Sequence, residues 1–193
     1  MRLFVGIEFP EEIIAALEAV QAKLRGSSQR GRFKRRENFH ITLKFLGEVP
    51  TADVPLLGRQ LAAAASAGGP FAIGLGRLGQ FGGGVPVRTV WVDVGGDTAA
   101  LAALQGRVEQ ALAGCGFPPE QRAWRPHITL AQDVVPLPGA PPWGAYQVDG
   151  TPFTVREFAL ILSEEIDRRR VYTPIERFAL PGWGEEFFPT GTK

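Results

Sequence analysis

The sequence contains only two histidines, and each begins the same tetrapeptide, His-Ile-Thr-Leu. His40 opens the first copy and His127 opens the second. The ordinary pKa of histidine, about 6.5, allows both protonation states near neutral pH. One imidazole could therefore give a proton in a reaction while the other takes one. The repeat predicts an acid–base site to which both copies contribute.

Thr42 and Thr129 lie two residues after the histidines. Because side chains alternate between the two faces of a strand, each threonine would share a face with its histidine, and the Ile and Leu would face the core. The hydroxyls could then bind non-bridging phosphate oxygens while the imidazoles transfer protons. This set of groups suits in-line displacement at phosphorus.

Two other interpretations of the histidines compete with catalysis. A single histidine on a strand is more often structural, but that does not explain a repeated motif. A metal site is the second alternative, because histidine is a common metal ligand. Tight sites usually need three or four ligands, and no cluster of Cys or Glu accompanies either motif. The sequence therefore favours chemistry without a metal or another cofactor.

The segments around the motif are also repeated in the sequence. The offset of 87 residues that separates His40 from His127 carries Leu3-Phe4-Val5 onto Val90-Trp91-Val92. It also carries Ala15-Ala16-Leu17 onto Ala102-Ala103-Leu104. Strand, helix and motif thus recur in one order and register. We expect a single bilobal domain over residues 1–193, in which each of two pseudo-twofold-related lobes contributes one motif.

Hydrophobic periodicity and turn residues predict the elements that carry the motifs. The predicted helices cover residues 10–26, 51–67 and 97–113. The predicted strands cover residues 3–9, 33–36, 39–46, 70–78, 87–94, 125–131, 153–163 and 171–180. A proline-rich loop over 136–152 and a hairpin loop over 164–170 join the last strands. This order favours an α+β fold of mainly antiparallel sheets with outer helices and a central cleft.

Composition limits the functional classes. The chain has 193 residues, 45% of them hydrophobic, and a formal net charge of +1. Such a balance is typical of a globular protein and not of a general polyanion binder, so RNA contacts would come from a local patch. The apolar N-terminal stretch ends at Ile7, too short for a signal peptide or membrane span. We expect a cytoplasmic monomer that does not associate with membranes.

Three segments resemble the 2H phosphoesterase superfamily, in particular its RNA 2',3'-cyclic phosphodiesterase branch, also called the 2'-5' RNA ligase family. They are the N-terminal Met1–Ile7 and the two motif segments, Glu37–Gly47 and Arg125–Ala131. The resemblance implies a bilobal fold with a central cleft and metal-independent hydrolysis of RNA 2',3'-cyclic phosphates to 2'-phosphates. It also implies RNA 3' ends as partners, including tRNA fragments, and in some members 2'-5' ligation.

The resemblance assigns His40, Thr42, His127 and Thr129 to the catalytic positions of the family. We favour His40 as the proton donor and His127 as the proton acceptor, with the threonines on the phosphate oxygens. The family commonly has Arg five residues after the second histidine, where this sequence has Gln132. Another cation could bind the phosphate in its place, and the candidates near the motifs are Lys44, Arg122 and Arg125.

Basic and aromatic residues near the motifs are further candidates for RNA binding. The basic residues before the first motif could contact phosphates or could be a solvated strand edge; they are Arg30, Arg32, Lys34, Arg35 and Arg36. Arg168–Arg170 could clamp RNA or lie in a solvated turn. Phe39 and Trp124, the aromatics next to the motifs, are the candidates for stacking on a base.

Two other functions stay open on the sequence alone. The chain could be a non-catalytic module that binds RNA ends or nucleotides, since a phosphate-binding Arg is missing at position 132. It could also be a phosphodiesterase that acts on small cyclic nucleotides or on 2'-5' oligonucleotides.

Overall fold

The computed structural model describes residues 1–182. These residues contain three α-helices: α1 (Glu11–Gly26), α2 (Val54–Ser66) and α3 (Thr98–Ala113). The strands are β1 (Arg2–Ile7), β2 (Ser28–Phe33), β3 (Ile41–Glu48), β4 (Phe71–Phe81), β5 (Val87–Gly96), β6 (His127–Pro136), β7 (Phe153–Val155), β8 (Glu157–Ile166) and β9 (Arg169–Ala179). Short 3-10 turns lie at Arg36–Asn38, Thr51–Asp53 and Trp143–Ala145.

The strands form two antiparallel sheets. The four-stranded sheet has the order β3-β1-β8-β9, and the five-stranded sheet has the order β2-β6-β5-β4-β7. His40 directly precedes β3 and His127 begins β6, so each sheet carries one motif. The predicted α+β class with mainly antiparallel sheets is confirmed.

The helices cover the sheets with apolar stripes. Ile13, Leu17, Val20 and Leu24 recur at helical spacing in α1, and all four are buried. Asp97 caps α3, since its carboxylate accepts a hydrogen bond from the backbone N–H of Ala100 at 2.9 Å. A helix residue also reaches each motif strand. Gln21 of α1 donates to the carbonyl of Leu130 on β6, and Gln105 of α3 donates to that of Leu43 on β3.

The 87-residue offset also relates elements of the structure. Adding 87 to the limits of α1 gives those of α3, and the same offset takes Phe71 in β4 to Phe158 in β8. The two halves of the chain are nevertheless interleaved. β4 pairs with β5 of the second half, and β8 pairs with β1 of the first half. Each sheet therefore needs strands from both halves of the chain.

Both motif strands contain a β-bulge immediately after the threonine. Thr42 and Lys44 of β3 pair with consecutive residues of β1, and Thr129 and Ala131 of β6 pair with consecutive residues of β5. Leu43 and Leu130, which lie between them, are therefore the extra residues. A bulge shifts the alternation of side chains by one residue. Leu43 and Lys44 are consecutively buried as a result, and so are Leu130 and Ala131.

Several predicted boundaries differ from the structure. The strand predicted at residues 33–36 lies earlier, as β2, because the edge-strand residues 28–33 pair with β6 although they are polar. The single strand predicted over 153–163 is divided into β7 and β8, which belong to different sheets. The loop predicted over 164–170 is a two-residue turn at Asp167 and Arg168, both with positive φ. Arg169 and Arg170 therefore lie on β9.

The described part of the chain contains no helix that could cross a membrane. None of the helices among residues 1–182 combines the length and the apolar character that a crossing requires. The sequence from Pro181 onward predicts a tail, and its residues after 182 lie outside the described part of the chain.

Candidate active site

Both imidazoles are held by the same backbone contact. Nδ1 of His40 lies 2.9 Å from the carbonyl oxygen of Asn38, and Nδ1 of His127 lies 2.8 Å from that of Arg125. A carbonyl oxygen can only accept a hydrogen bond, so Nδ1 carries the proton in each ring. In the neutral state Nε2 is therefore the nitrogen with the free lone pair in both histidines. The 87-residue offset relates the two contacts, because it takes Asn38 to Arg125.

Thr42 is directly associated with its histidine. Its Oγ1 lies 3.0 Å from Nε2 of His40, and when His40 is neutral the hydroxyl donates this hydrogen bond. Thr129 is half-buried, and in the strand pairing it lies opposite Trp91 of β5. Strand alternation places each threonine on the face of its histidine, as the sequence predicts.

Aromatic rings surround the two imidazoles. Phe4 and Tyr172 lie with their ring centroids 4.8 and 5.1 Å from that of His40. Phe81 lies 4.9 Å from His127, and Trp91 lies 6.2 Å away. The 87-residue offset relates Phe4 to Trp91. These rings exclude water from one side of each imidazole and fix its orientation.

Burial lowers the pKa of both histidines. For His40, loss of hydration lowers the pKa to about 4; the positive charges of Lys34 and His127 add to this effect, and the bond to the Asn38 carbonyl opposes it. For His127, burial again has the largest effect in lowering the pKa, and the charge of Arg125 contributes. The influence of His127 on His40 shows that the two imidazoles interact electrostatically. Without a bound anion, both favour the neutral form at pH 7.

Arg125 is the sequence-predicted cation that lies beside His127. Its guanidinium carbon lies 4.3 Å from the centroid of the Trp91 ring, a cation–π arrangement, and its side chain is exposed. Its positive charge also acts on the imidazole. Arg125 is thus held near the motif with its guanidinium accessible to an anion.

Lys44 is in a different environment from the one expected for a phosphate ligand. Its side chain is buried, and the ammonium group donates to Glu109 of α3 at 2.5 Å and to the carbonyl of Pro118 at 2.9 Å. The bulge at Leu43 turns Lys44 away from the face of His40. The structure thus corrects the prediction of substrate binding for Lys44, which instead joins β3 to α3.

The exposed aromatic residue near the first motif is Phe45 and not Phe39. Phe39 is only 4% exposed and belongs to the core, so the stacking role predicted for it is not available. Phe45 is 65% exposed, and the bulge returns its side chain to the face of His40. It lines a pocket of about 180 Å³ together with Phe4, Tyr172, Ser163, Arg170 and Arg2. Strict alternation from His40 would have placed Phe45 on the opposite face.

Trp124 connects the two motif regions. Its Nε1 donates to the backbone carbonyl of Thr42 at 3.1 Å, and its partly exposed ring packs against the core. This contact ties the segment before His127 to the strand that follows His40.

The second bulge places Gln132 on the face of His127 and Thr129, where it pairs with Thr89 and with Arg32.

Two residues of the site could not be identified from the motif itself. Asn38 accepts the His40 bond through its carbonyl, and its side-chain amide donates to the carbonyl of Arg170 on β9 at 2.9 Å. Tyr172 reaches His40 from the same strand, which is far away in the sequence.

No group of three or more His, Cys, Asp or Glu side chains that could hold a metal ion occurs within residues 1–182.

The sequence and the fold both match known proteins. Residues 9–167 match the 2'-5' RNA ligase superfamily. A Thermus thermophilus protein named RNA 2',3'-cyclic phosphodiesterase is 35% identical over 192 residues, which covers 94% of this chain and 91% of that protein.

Two crystal structures are similar over nearly the whole chain. One is the Thermus thermophilus protein TT0787, with a TM-score of 0.81 and 29% identity, covering 95% of this chain and 100% of that one. The other is E. coli LigT complexed with 3'-AMP, with a TM-score of 0.76 and 30% identity, covering 94% of this chain and 98% of that one.

Proposed function

This chain belongs to the 2'-5' RNA ligase superfamily, and from that membership we infer that it is an RNA 2',3'-cyclic phosphodiesterase. We propose that it hydrolyses the cyclic phosphate at RNA 3' ends to a 2'-phosphate without a metal ion. The observation that supports this most strongly is the duplicated contact of the histidines. Both Nδ1 atoms are committed to backbone carbonyls, which leaves two Nε2 atoms for proton transfer.

In the proposed reaction His127 is the base and His40 is the acid. Nε2 of His127 takes a proton from water as the water oxygen attacks phosphorus. The bond between phosphorus and the 3' oxygen breaks, and Nε2 of His40 gives its proton to that oxygen. The products are a 2'-phosphate and a 3' hydroxyl. Thr42 and Thr129 donate hydrogen bonds to non-bridging oxygens, and Arg125 provides positive charge beside the developing negative charge.

The lowered pKa of His40 has a consequence for this assignment. With a pKa of about 4, His40 is neutral at pH 7 in the free protein, and its Nε2 has no proton to give. The negative charge of a bound phosphodiester favours the imidazolium and raises the pKa. We therefore propose that His40 acquires its proton together with the substrate.

Hydrolysis of an oligonucleotide that ends in a 2',3'-cyclic phosphate, measured with EDTA present, tests the proposed function. We expect turnover and a product with only a 2'-phosphate. Complete loss of turnover on chelation, or a product with a 3'-phosphate, would contradict the reaction written above. A protein that binds the oligonucleotide without turning it over would instead be the binding module that the sequence left open.

A substrate with sulfur in place of the bridging 3' oxygen tests which histidine is the acid. A thiolate leaves without being protonated at neutral pH far more easily than an alkoxide. We expect the His40→Ala variant to lose activity on the normal substrate and to regain much of it on the sulfur substrate. The His127→Ala variant should stay inactive on both. The reverse pattern would exchange the two roles.

The proposals about the RNA substrate, the oligomeric state and the cellular location depend on the same proposed function. We propose RNA fragments, including tRNA halves, as substrates and a monomer in the cytoplasm as the working form. Comparing kcat/KM for a 2',3'-cyclic mononucleotide and for a cyclic-phosphate oligonucleotide tests the first, and sedimentation of the purified protein tests the second. Equal values for the two substrates would favour small cyclic nucleotides.

A further inference from the structure

Lys34 occupies a fixed position between the two motif regions. Its backbone N–H donates to the carbonyl of Leu130 at 2.8 Å, and its own carbonyl accepts from Nε2 of Gln21 at 2.8 Å. Lys34 follows the last residue of β2 and so extends the pairing of that strand with β6. Its Cα position is thus set by the strand that carries His127.

The direction of the Lys34 side chain follows from strand register. Arg32 pairs with Gln132, which the bulge in β6 places on the face of His127. Two residues further along, Lys34 lies on the same face as Arg32. The ammonium group of Lys34 also acts on the first histidine, because its positive charge contributes to the lowered pKa of His40. The backbone contact with Leu130 and the shared strand face thus place Lys34 beside the second motif, and its charge acts on the histidine of the first.

Lys34 lacks the kind of counter-ion that two of its neighbouring cations, Arg32 and Arg170, have. Arg32 forms a salt bridge with Asp133, and Arg170 lies 3.7 Å from Glu165. Within residues 1–182 no carboxylate lies within 4 Å of the Lys34 ammonium. The side chain is half-buried, and burial together with Arg32 and Arg170 lowers its pKa. A partly desolvated cation without a partner is costly, and a bound anion would offset that cost.

We propose that Lys34 binds a non-bridging oxygen of the substrate phosphate on the His40 side of the site. This assignment rests on the proposed phosphodiesterase function and adds to it a residue outside the two motifs. Arg125 is the cation on the His127 side, and Gln132, which pairs with Arg32, contributes no charge. Lys34 therefore provides the positive charge that position 132 lacks in this chain.

Binding of inorganic phosphate, followed by NMR of the two histidine rings, tests Lys34 independently of turnover. We expect phosphate to shift the His40 signals in the wild type. Lys34→Gln should weaken this binding by about tenfold to a hundredfold, since it removes a charge-assisted hydrogen bond. Lys34→Arg should retain most of the affinity. Lys23→Gln, the same substitution at an exposed site on α1, is the matched control and should bind as the wild type does.

Two further measurements separate substrate binding from a structural role. In the absence of phosphate, Lys34→Gln should raise the pKa of His40, because the substitution removes a nearby positive charge. On a cyclic-phosphate oligonucleotide it should lower kcat/KM, again by about tenfold to a hundredfold, while the circular dichroism spectrum and the unfolding midpoint stay those of Lys23→Gln.

Equal phosphate affinity in Lys34→Gln and wild type would overturn the assignment, as would an equal loss in Lys34→Gln and Lys23→Gln. If wild type binds phosphate through Lys34 but hydrolyses no cyclic phosphate, the proposed function fails and the anion site stands. If it hydrolyses the substrate while Lys34→Gln behaves as wild type, only the assignment of Lys34 fails.

Discussion

The two histidines have the same local geometry and different surroundings. Each donates Nδ1–H to the carbonyl two residues earlier, so each offers Nε2 to a substrate. His40 lies among Phe4 and Tyr172 and has the pKa of about 4, whereas His127 lies beside Asp93, whose negative charge opposes the lowering of its pKa. In the free protein the low pKa of His40 favours its neutral form, so the acid role proposed for His40 depends on the negative charge of the bound phosphodiester.

The pH dependence of kcat/KM should be a bell centred below pH 6.5, because this parameter reports the free enzyme. His127 must lose its proton to be a base, which happens as the pH rises through its lowered pKa. His40 must keep its proton, and it loses it as the pH rises through about 4. The profile of kcat should lie at higher pH, since bound phosphate raises both pKa values. A kcat/KM bell centred above pH 7 would contradict these directions.

Phe45 and Phe39 form a matched pair that separates substrate contact from core packing. Phe45→Ala should raise KM for a cyclic-phosphate oligonucleotide by roughly 5- to 150-fold, the value of about 1–3 kcal/mol for one stacked base, with little change in stability. Phe39→Ala should lower the free energy of unfolding by about 3–5 kcal/mol through a core cavity. Urea denaturation and steady-state kinetics on both variants check this. An unchanged KM in Phe45→Ala would exclude stacking there.

At the scale of elements, the two bulges decide which side chains reach the site. The extra residues Leu43 and Leu130 shift the strand alternation, so that Phe45 and Gln132 return to the face of the histidines. The same shift turns Lys44 inward against α3, where it meets Glu109. The bulges thus convert a five-residue spacing, which a regular strand would place on opposite faces, into a shared face.

The Lys44–Glu109 ion pair should contribute to stability and not to substrate binding. Lys44→Met leaves a buried carboxylate without its partner and should lower the free energy of unfolding by about 3–5 kcal/mol. Adding Glu109→Leu should restore much of that loss, because the unpaired charge is removed. Measured below the unfolding temperature, KM should be that of the wild type. A raised KM in the double variant with normal stability would instead make Lys44 a substrate ligand.

At the scale of the molecule, the two halves of the chain share their sheets. The four-stranded sheet contains β1 and β3 from the first half and β8 and β9 from the second, and the five-stranded sheet is mixed in the same way. Neither half can complete a sheet by itself. The interleaving also brings β9, with Arg170 and Tyr172, to the first motif.

This interleaving predicts that the chain unfolds as one cooperative unit. Phe158→Ala, in the four-stranded sheet, should lower the midpoint of urea denaturation equally by far-ultraviolet circular dichroism and by tryptophan fluorescence. The fluorescence signal includes Trp124 and also Trp91, which lies in the five-stranded sheet and so reports on that sheet. Two separate transitions, with only one moved by Phe158→Ala, would show that the lobes are independent domains.

The sequence by itself determined the elements whose evidence is local or repeated. The two His-Ile-Thr-Leu copies, the 87-residue register and the capped, striped helices are readable along the chain, because strand and helix periodicity depend on near neighbours. The paired motifs, the α+β class and the family followed from them. The faces of Ile41 and Thr42 were also correctly predicted, since no bulge comes between them and His40.

Only the tertiary structure decided which neighbouring residues are available to a substrate. Burial of Phe39 and Lys44, exposure of Phe45 and the absence of a carboxylate beside Lys34 within residues 1–182 depend on what packs against each side chain. A bulge is set by the pairing of two strands. The partner strands here, β1 and β5, lie far along the sequence from the bulged residues Leu43 and Leu130. Such contacts between remote segments leave no periodic signal, so the motifs could be read in advance while their surroundings could not.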